Sequence, residues 1–153
     1  MTIGSKCTVS GLCAAMTFDH AKLDTGGRHV VSLLLCEGQE AACQAWRPFL
    51  EELLVHLDAE EASMLPAFRR EKPEACASIL SDHAGIRRAA EVVTRSFECL
   101  DADERILRQL LHLLELHGRK EEDDLYPWSE TGLGEHESRA VIERIEKTEA
   151  RMA

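Results

Sequence analysis

Two segments of the chain repeat one pattern of histidine, glutamate and proline, and these residue types can bind a metal ion. Residues 56–66 and 117–127 both fit His-x-x-x-Glu-Glu-x-x-apolar-x-Pro. On a helix, positions i and i+4 lie one above the other, so the histidine and first glutamate of each segment share a face. A neutral imidazole beside a carboxylate suits iron, zinc or manganese. The predicted pairs are His56 with Glu60 and His117 with Glu121.

A shorter repeat, Asp-His-Ala, precedes each segment, at residues 19–21 and 82–84. The chain therefore consists of two similar halves, each offering one histidine and then a His-x-x-x-Glu pair. Two residues of an antiparallel helix pair lie at the same height when the turn falls midway between them. The midpoints between successive histidines fall at or beside independently predicted turns, at Gly38, Arg70 and Leu100. One layer is predicted to contain His20, His56, His83 and His117, with Glu60 and Glu121 one helical turn further along.

Six such donors in one layer suit two metal ions. Burying four imidazoles and two carboxylates without a counter-ion would be costly, and they are too many for one tetrahedral zinc. Two metals with two histidines each, bridged by Glu60 and Glu121, would each have four protein ligands. Positions would remain for an oxo, hydroxo or small exogenous ligand, as expected of non-haem iron rather than of a closed structural site.

The same spacing predicts a surface or packing role for the other three histidines. For His29 and His112, the alternative is a role as an extra ligand. His29 lies too far along the chain from the layer, and His112 lies about 140° around the helix from His117. His136 follows the second repeated proline. The acidic neighbours of the predicted ligands either orient them or face solvent; these are Asp19, Glu61, Asp82 and Glu122. A packing role is predicted for Tyr126 and Trp128.

The elements that must position these residues are helices. The composition is 44% hydrophobic and only 5% aromatic, which favours helices over sheets. Apolar spacing predicts helices over about 17–35, 39–69, 74–99 and 103–126, and a short one from about 136. Gly26-Gly27 is a possible bend and Pro127 the predicted end of the fourth helix. Short connections predict an antiparallel up-down-up-down four-helix bundle with a short C-terminal helix that caps the bundle or contacts another copy.

The predicted organisation is an N-terminal extension over residues 1–16, the bundle over 17–130, and a helical tail over 131–153. A net charge of −10 without a basic stripe argues against nucleic-acid binding. The longest apolar run, residues 30–35, is too short to cross a membrane, and no signal-like start is present, so a cytoplasmic protein is expected. The six cysteines form no Cys-x-x-Cys pair and are expected as reduced thiols, of which Cys7 and Cys13 are the candidates for reactivity.

These motifs, together with one histidine on each of the other two helices, resemble the hemerythrin-like, or HHE cation-binding, domains over about residues 17–130. The resemblance implies a four-helix bundle with a carboxylate-bridged di-iron centre, oxo- or hydroxo-bridged, and the six predicted residues as its ligands. Invertebrate oxygen-carrying hemerythrins have a second histidine where this chain has Arg87, and His-x-x-x-x-Asp on the fourth helix. With four histidines the site is more similar to bacterial di-iron proteins of iron–sulfur repair and nitric oxide or peroxide stress. Their cysteine-containing N-terminal region is longer than residues 1–16.

The resemblance implies a protein that binds or senses oxygen, nitric oxide or redox state, with a small diatomic molecule or peroxide as ligand. The alternatives are a di-iron enzyme of nitrosative or oxidative stress defence, which reduces nitric oxide or peroxide or repairs iron–sulfur centres, and iron storage or delivery. The sequence offers no dedicated acid or base beyond the predicted ligands, which favours binding or sensing over turnover.

Overall fold

The computed structural model describes residues 11–152, which are helical over most of their length. In chain order the elements are α1 (Gly11–Cys36), α2 (Gln39–Ser63), α3 (Leu65–Glu71), α4 (Pro73–Glu98), α5 (Glu104–Lys120), a π-helical segment (Glu121–Leu125), α6 (Tyr126–Gly132) and α7 (Glu135–Met152). No β-strand occurs within residues 11–152. Residues 1–10 of the predicted extension, including Cys7, lie outside the described part of the chain.

The predicted fold class is confirmed. Helices α1, α2, α4 and α5 form the antiparallel bundle, and α7 packs against α1 and α2. The predicted turn before α2 forms at Gly38, whose φ of 100° lies in the region that favours glycine. Asp103 caps α5 by accepting hydrogen bonds from the backbone N–H groups of Arg105 and Ile106. Among the described helices, none combines the length and the apolar character needed to cross a bilayer.

The first helix begins at Gly11, six residues before the predicted start at Thr17. Leu12 and Met16 are buried in one of the two apolar clusters of the bundle, so residues 11–16 form the first turns of α1. Residues 12–16 read Leu-Cys-Ala-Ala-Met, and the helix-forming Leu, Ala and Met side chains favour this start together with the apolar burial.

The possible bend at Gly26-Gly27 does not occur, because α1 is continuous through both residues. A side chain at Gly27 would place its Cβ 2.3 Å from Leu111 Cδ2, so the glycine admits close packing of α5. The two glycines therefore allow neighbouring helices to pack closely against α1, and these contacts offset the low helix propensity of glycine.

Both repeated prolines lie near an irregular turn. The predicted helix over 39–69 is interrupted at Met64, and α3 restarts with Pro66 in its first turn. The prediction that Pro127 ends the fourth helix is wrong, since α5 passes through the π-helical segment into α6. Proline lacks an N–H but is tolerated in a first turn, where that group has no helical partner. Across the π turn, the Tyr126 N–H donates to the Glu121 carbonyl.

Two apolar clusters fill the interior, one on each side of the predicted histidine layer. The cluster near the α1–α2 turn includes Leu23, Val30, Trp46, Leu53, Ile86 and Leu110. The cluster at the other end includes Met16, Phe68, Ile79, Leu125, Trp128 and Val141. Each long bundle helix contributes to both clusters or continues into the second through its irregular turn. Hydrophobic burial at both ends therefore fixes the helices where they cross the polar layer.

Candidate metal centre

Four histidines and two glutamates meet between the two apolar clusters. They come from α1 (His20), α2 (His56 and Glu60), α4 (His83), α5 (His117) and the π-helical segment (Glu121). His20 is the most accessible, with 14% of its side chain exposed, while both glutamate side chains are fully buried. The residues predicted to share one layer are thus brought together in space.

The six side chains form two sets of four that share both glutamates. The first donor set is His20, His56, Glu60 and Glu121, and the second donor set is Glu60, His83, His117 and Glu121. Within each set the potential ligand atoms lie within 4.8 Å of one another. The two carboxylates therefore lie between two histidine pairs and belong to both donor sets.

The Nε2 atoms of the histidines and the oxygens of Glu60 are separated by short distances. His20 Nε2 lies 3.0 Å from His56 Nε2, and His83 Nε2 lies 3.1 Å from His117 Nε2. Glu60 Oε1 is 2.9 Å from His56 Nε2, and Glu60 Oε2 is 3.1 Å from His83 Nε2. Each oxygen of Glu60 therefore faces a different histidine pair.

Glu121 spans the two sets in a less symmetric way. Its Oε1 lies 2.9 Å from His117 Nε2 and 3.2 Å from His20 Nε2, so this oxygen contacts both pairs. Its Oε2 lies 3.7 Å from His83 Nε2. Glu121 thus contacts histidines of α1, α4 and α5 around the centre.

Each histidine of the layer also has its other ring nitrogen, Nδ1, beside a carboxylate of a neighbouring element. The four contacts are Asp19 to His56 (2.6 Å), Glu61 to His83 (2.8 Å), Asp82 to His117 (3.3 Å) and Glu122 to His20 (3.2 Å). Going around the bundle, each carboxylate contacts the histidine of the next helix. In a neutral imidazole, the form that binds a metal, such a carboxylate partner holds the proton on Nδ1 and leaves the Nε2 lone pair facing the centre.

Two cationic side chains hold these outer carboxylates in place. Arg87 donates to Glu61, and Lys120 donates to Asp82 at 2.6 Å. Burial raises the pKa of both carboxyl groups, but Arg87 with His83, and Lys120 with His117, outweigh it and lower each pKa overall. Arg87 therefore supports His83, the histidine of its own helix, through Glu61.

The buried carboxylates attract positive charge into the layer. Burial lowers the pKa of His83, but Glu121 and Glu60 outweigh it and raise that pKa to about 10. The pKa of His56 is likewise raised well above its usual value by Glu60 and Asp19, against the effect of burial. Burial raises the pKa of Glu121, yet its hydrogen-bonding partners hold it well below its usual range. The buried carboxylates and histidines of the layer therefore stabilise each other's charged forms.

Two buried carboxylate oxygens show that protein groups alone do not satisfy this layer. Glu60 Oε2 and Glu121 Oε2 accept no hydrogen bond from any residue within 11–152, although His83 Nε2 is near both. Buried carboxylate oxygens without partners are costly, and a cation between the histidine pairs would satisfy them. The donor set, with four imidazoles and two carboxylates between them, fits borderline metals such as iron.

Tyr126 also reaches the centre, contrary to its predicted packing role. Its side chain is fully buried, and its hydroxyl donates to Glu60 Oε1 at 2.7 Å. The Tyr126 hydroxyl oxygen also lies 2.7 Å from His20 Nε2. Burial, Glu121 and Glu60 together raise the pKa of Tyr126 well above its usual value. Trp128 packs edge-on against Phe68, in agreement with its predicted role.

A cleft between α1 and α5 leads from the surface to this centre. Its volume is about 330 Å³, and His20, His56 and His117 lie at its inner end. The walls carry the apolar side chains of Leu23, Leu53, Leu57, Leu111 and Leu114, with Asp24, Glu115, Arg119 and Glu122 among its polar residues. Gly118 also lines the cleft, and a Cβ there would lie 3.3 Å from His20 Nδ1. The centre is thus reachable by a small molecule along a largely apolar path.

The remaining histidines lie away from the centre. His29, His112 and His136 are exposed, and none of them belongs to a candidate metal cluster within the described residues.

The geometry of a buried histidine and glutamate layer in a four-helix bundle agrees with the comparison of the chain with protein families. Residues 13–128 match the hemerythrin HHE cation binding domain. The chain belongs to this family. Membership in the hemerythrin HHE family shows a cation-binding domain, and it confirms the resemblance inferred from the repeated motifs. Searches among curated proteins and solved structures found no significant match.

Proposed function

We propose that this hemerythrin HHE domain holds two iron ions and binds or senses a small ligand, oxygen or nitric oxide, or redox state. The proposed metal ligands are His20, His56, Glu60, His83, His117 and Glu121, with both glutamates bridging. When bound, iron supplies a redox-active centre with positions for a small exogenous ligand.

The observation that carries this proposal is the convergence of four Nε2 atoms whose Nδ1 partners are all carboxylates. With the protons on Nδ1, the Nε2 lone pairs of His20 and His56 face each other at 3.0 Å. The second pair, His83 and His117, does the same at 3.1 Å. Metal–donor bonds of about 2.1 Å at right angles hold neighbouring donors about 3 Å apart. Both distances therefore suit adjacent ligands of one metal.

The cleft supports a small uncharged ligand. Its leucine-rich walls disfavour a charged molecule, and its inner end lies at three of the proposed ligands. The carboxylates that line the cleft are already paired: Asp24 with Arg28, Glu115 with Arg119, and Glu122 with His20. This arrangement favours binding or sensing over catalysis.

The first test is metal analysis of protein purified from iron-supplemented cells, with absorption spectra in air and after reduction. We expect about two irons per chain and an oxo-bridge absorption that bleaches on reduction. His56→Ala should lose at least one metal, whereas His112→Ala, on an exposed site of α5, should retain both. A single zinc, or no metal after anaerobic iron loading, would contradict the proposal.

A second measurement separates sensing from catalysis. The iron-loaded protein should bind nitric oxide at a fixed ratio to iron and then stop consuming it. Steady consumption of nitric oxide or peroxide over more than a few turnovers per site would replace the sensing role with an enzymatic one.

A further inference from the structure

The phenol of Tyr126 lies among the atoms of the first donor set and not beside that set as a packing group. Its oxygen is 2.7 Å from both Glu60 Oε1 and His20 Nε2. It is also 3.4 Å from both His56 Nε2 and Glu121 Oε1. One hydroxyl oxygen therefore contacts every member of the first donor set.

Hydrogen bonds to neutral imidazoles that carry their protons on Nδ1 do not account for these contacts. A phenol has one proton, which it donates to Glu60. A neutral His20 whose proton is held on Nδ1 by Glu122 offers the phenol oxygen only a lone pair, at the same 2.7 Å. A donor atom bound to the same metal at right angles to the others would lie about 3 Å from each of them. The four separations from the Tyr126 oxygen lie on both sides of that value. Its position suits a fifth ligand better than a hydrogen-bonding neighbour.

The π-helical segment is the cause of this placement. In an α-helix, Tyr126 would lie about 140° around the axis from Glu121, five residues earlier. In the π turn the Tyr126 N–H donates to the Glu121 carbonyl, which brings the two residues onto nearly the same face. The corresponding position of the first repeat is Leu65, which offers no oxygen. The two halves of the chain therefore contribute unequally to the layer.

We propose that Tyr126 is a phenolate ligand of the metal ion held by the first donor set, so that the two metals have unequal protein ligands. Tyr126 ligation rests on the proposed metal centre and adds a seventh ligand to it. The phenol proton is released to solvent when the metal binds, as protons are from other protein ligands. The metal of the second donor set keeps four protein ligands.

The test uses the full chain loaded with ferric iron. A phenolate bound to ferric iron gives a visible charge-transfer absorption and resonance-enhanced tyrosinate vibrations. Because the sequence contains one tyrosine, any such signal belongs to Tyr126. We expect the signal in the wild-type protein and its complete loss in Tyr126→Phe, which keeps the buried ring. Trp128→Phe is the matched control, since Trp128 is a buried aromatic residue of the same helix bonded to Glu71 instead, and it should keep the signal.

A second readout does not depend on colour. Zinc binding to the wild-type protein should release about one proton more per chain than zinc binding to Tyr126→Phe, measured in weakly buffered solution. Iron-loaded wild-type protein without tyrosinate vibrations would overturn the ligation of Tyr126 while leaving the proposed metal centre intact. Wild-type protein that binds neither iron nor zinc would overturn both. The wild-type spectrum decides the matter even if Tyr126→Phe does not fold.

Discussion

The contact between Asp19 and His56 gives the sharpest prediction about the outer carboxylates. Asp19 Oδ2 lies 2.6 Å from His56 Nδ1, and the two side chains are 7% and 2% exposed. Asp19→Asn keeps the size of the side chain and an oxygen that can accept a hydrogen bond from His56 Nδ1–H, but it removes the negative charge. His56 should then be a weaker base at Nε2 and a weaker metal ligand.

The expected loss follows from the burial of this pair. Removing the partner of a metal-bound histidine typically lowers metal affinity by about 10- to 100-fold, which corresponds to about 1.4–2.8 kcal/mol. Asp82 provides the matched control, because it contacts His117 Nδ1 at 3.3 Å and is 31% exposed. An exposed charge pair contributes only about 0.2–1 kcal/mol, so Asp82→Asn should weaken metal binding by about fivefold at most.

The assay is titration of zinc against a competing chelator, which yields the affinity of each variant under the same conditions. Circular dichroism of each variant checks that the bundle is retained. Equal losses in Asp19→Asn and Asp82→Asn, or no loss in Asp19→Asn, would show that burial and distance do not govern how the outer carboxylates act.

Three further predictions concern charge, packing and access. The pKa of His83 is raised from 6.5 to about 10, so its stabilising contribution is complete below pH 6.5 and is lost as the pH rises through about 10. Chelator-treated protein should therefore lose thermal stability across that window, whereas zinc-loaded protein, with neutral imidazoles already bound, should not. Leu110→Ala should lower the free energy of unfolding by about 2–5 kcal/mol in chemical denaturation, because this fully buried residue belongs to the apolar cluster near the α1–α2 turn. The Leu110→Ala variant should bind as much iron as the wild-type protein. A loss of iron would show that packing of this apolar cluster also positions the residues of the layer. Leu114→Phe should narrow the cleft and slow nitric oxide binding in stopped-flow measurements several-fold; an unchanged rate would mean that ligands enter elsewhere.

Several features of the fold could be predicted because they depend on spacing alone. The positions midway between successive histidines of the series 20, 56, 83 and 117 fall at turns. Antiparallel packing then places the four histidines at one height in the bundle. The glutamates four residues after two of them follow from helical periodicity. The ligand role of these six residues stays a prediction, while their proximity is a property of the structure.

Other features could not be predicted because they depend on contacts between distant parts of the chain. The start of α1 at Gly11 is stabilised by burial of Leu12 and Met16 in a cluster that later helices complete. The role of Gly27 depends on how closely Leu111 approaches from α5. The sequence shows an acidic residue directly beside each of several predicted ligands. Which histidine each acidic residue contacts, however, is set by the order of the helices around the bundle.

Tyr126 shows most clearly what only the tertiary structure decided. The sequence by itself determined the bundle, the layer and the residue types that meet there, because helical periodicity and chain reversal act on spacing. A helix of regular α geometry predicts Tyr126 on another face, about 140° from Glu121. The π turn changes that angle through the backbone bond from Tyr126 to Glu121, and Pro127 follows it in the first turn of α6. The internal repeat therefore determined the symmetric part of the centre, and the irregular turn determined the asymmetric part.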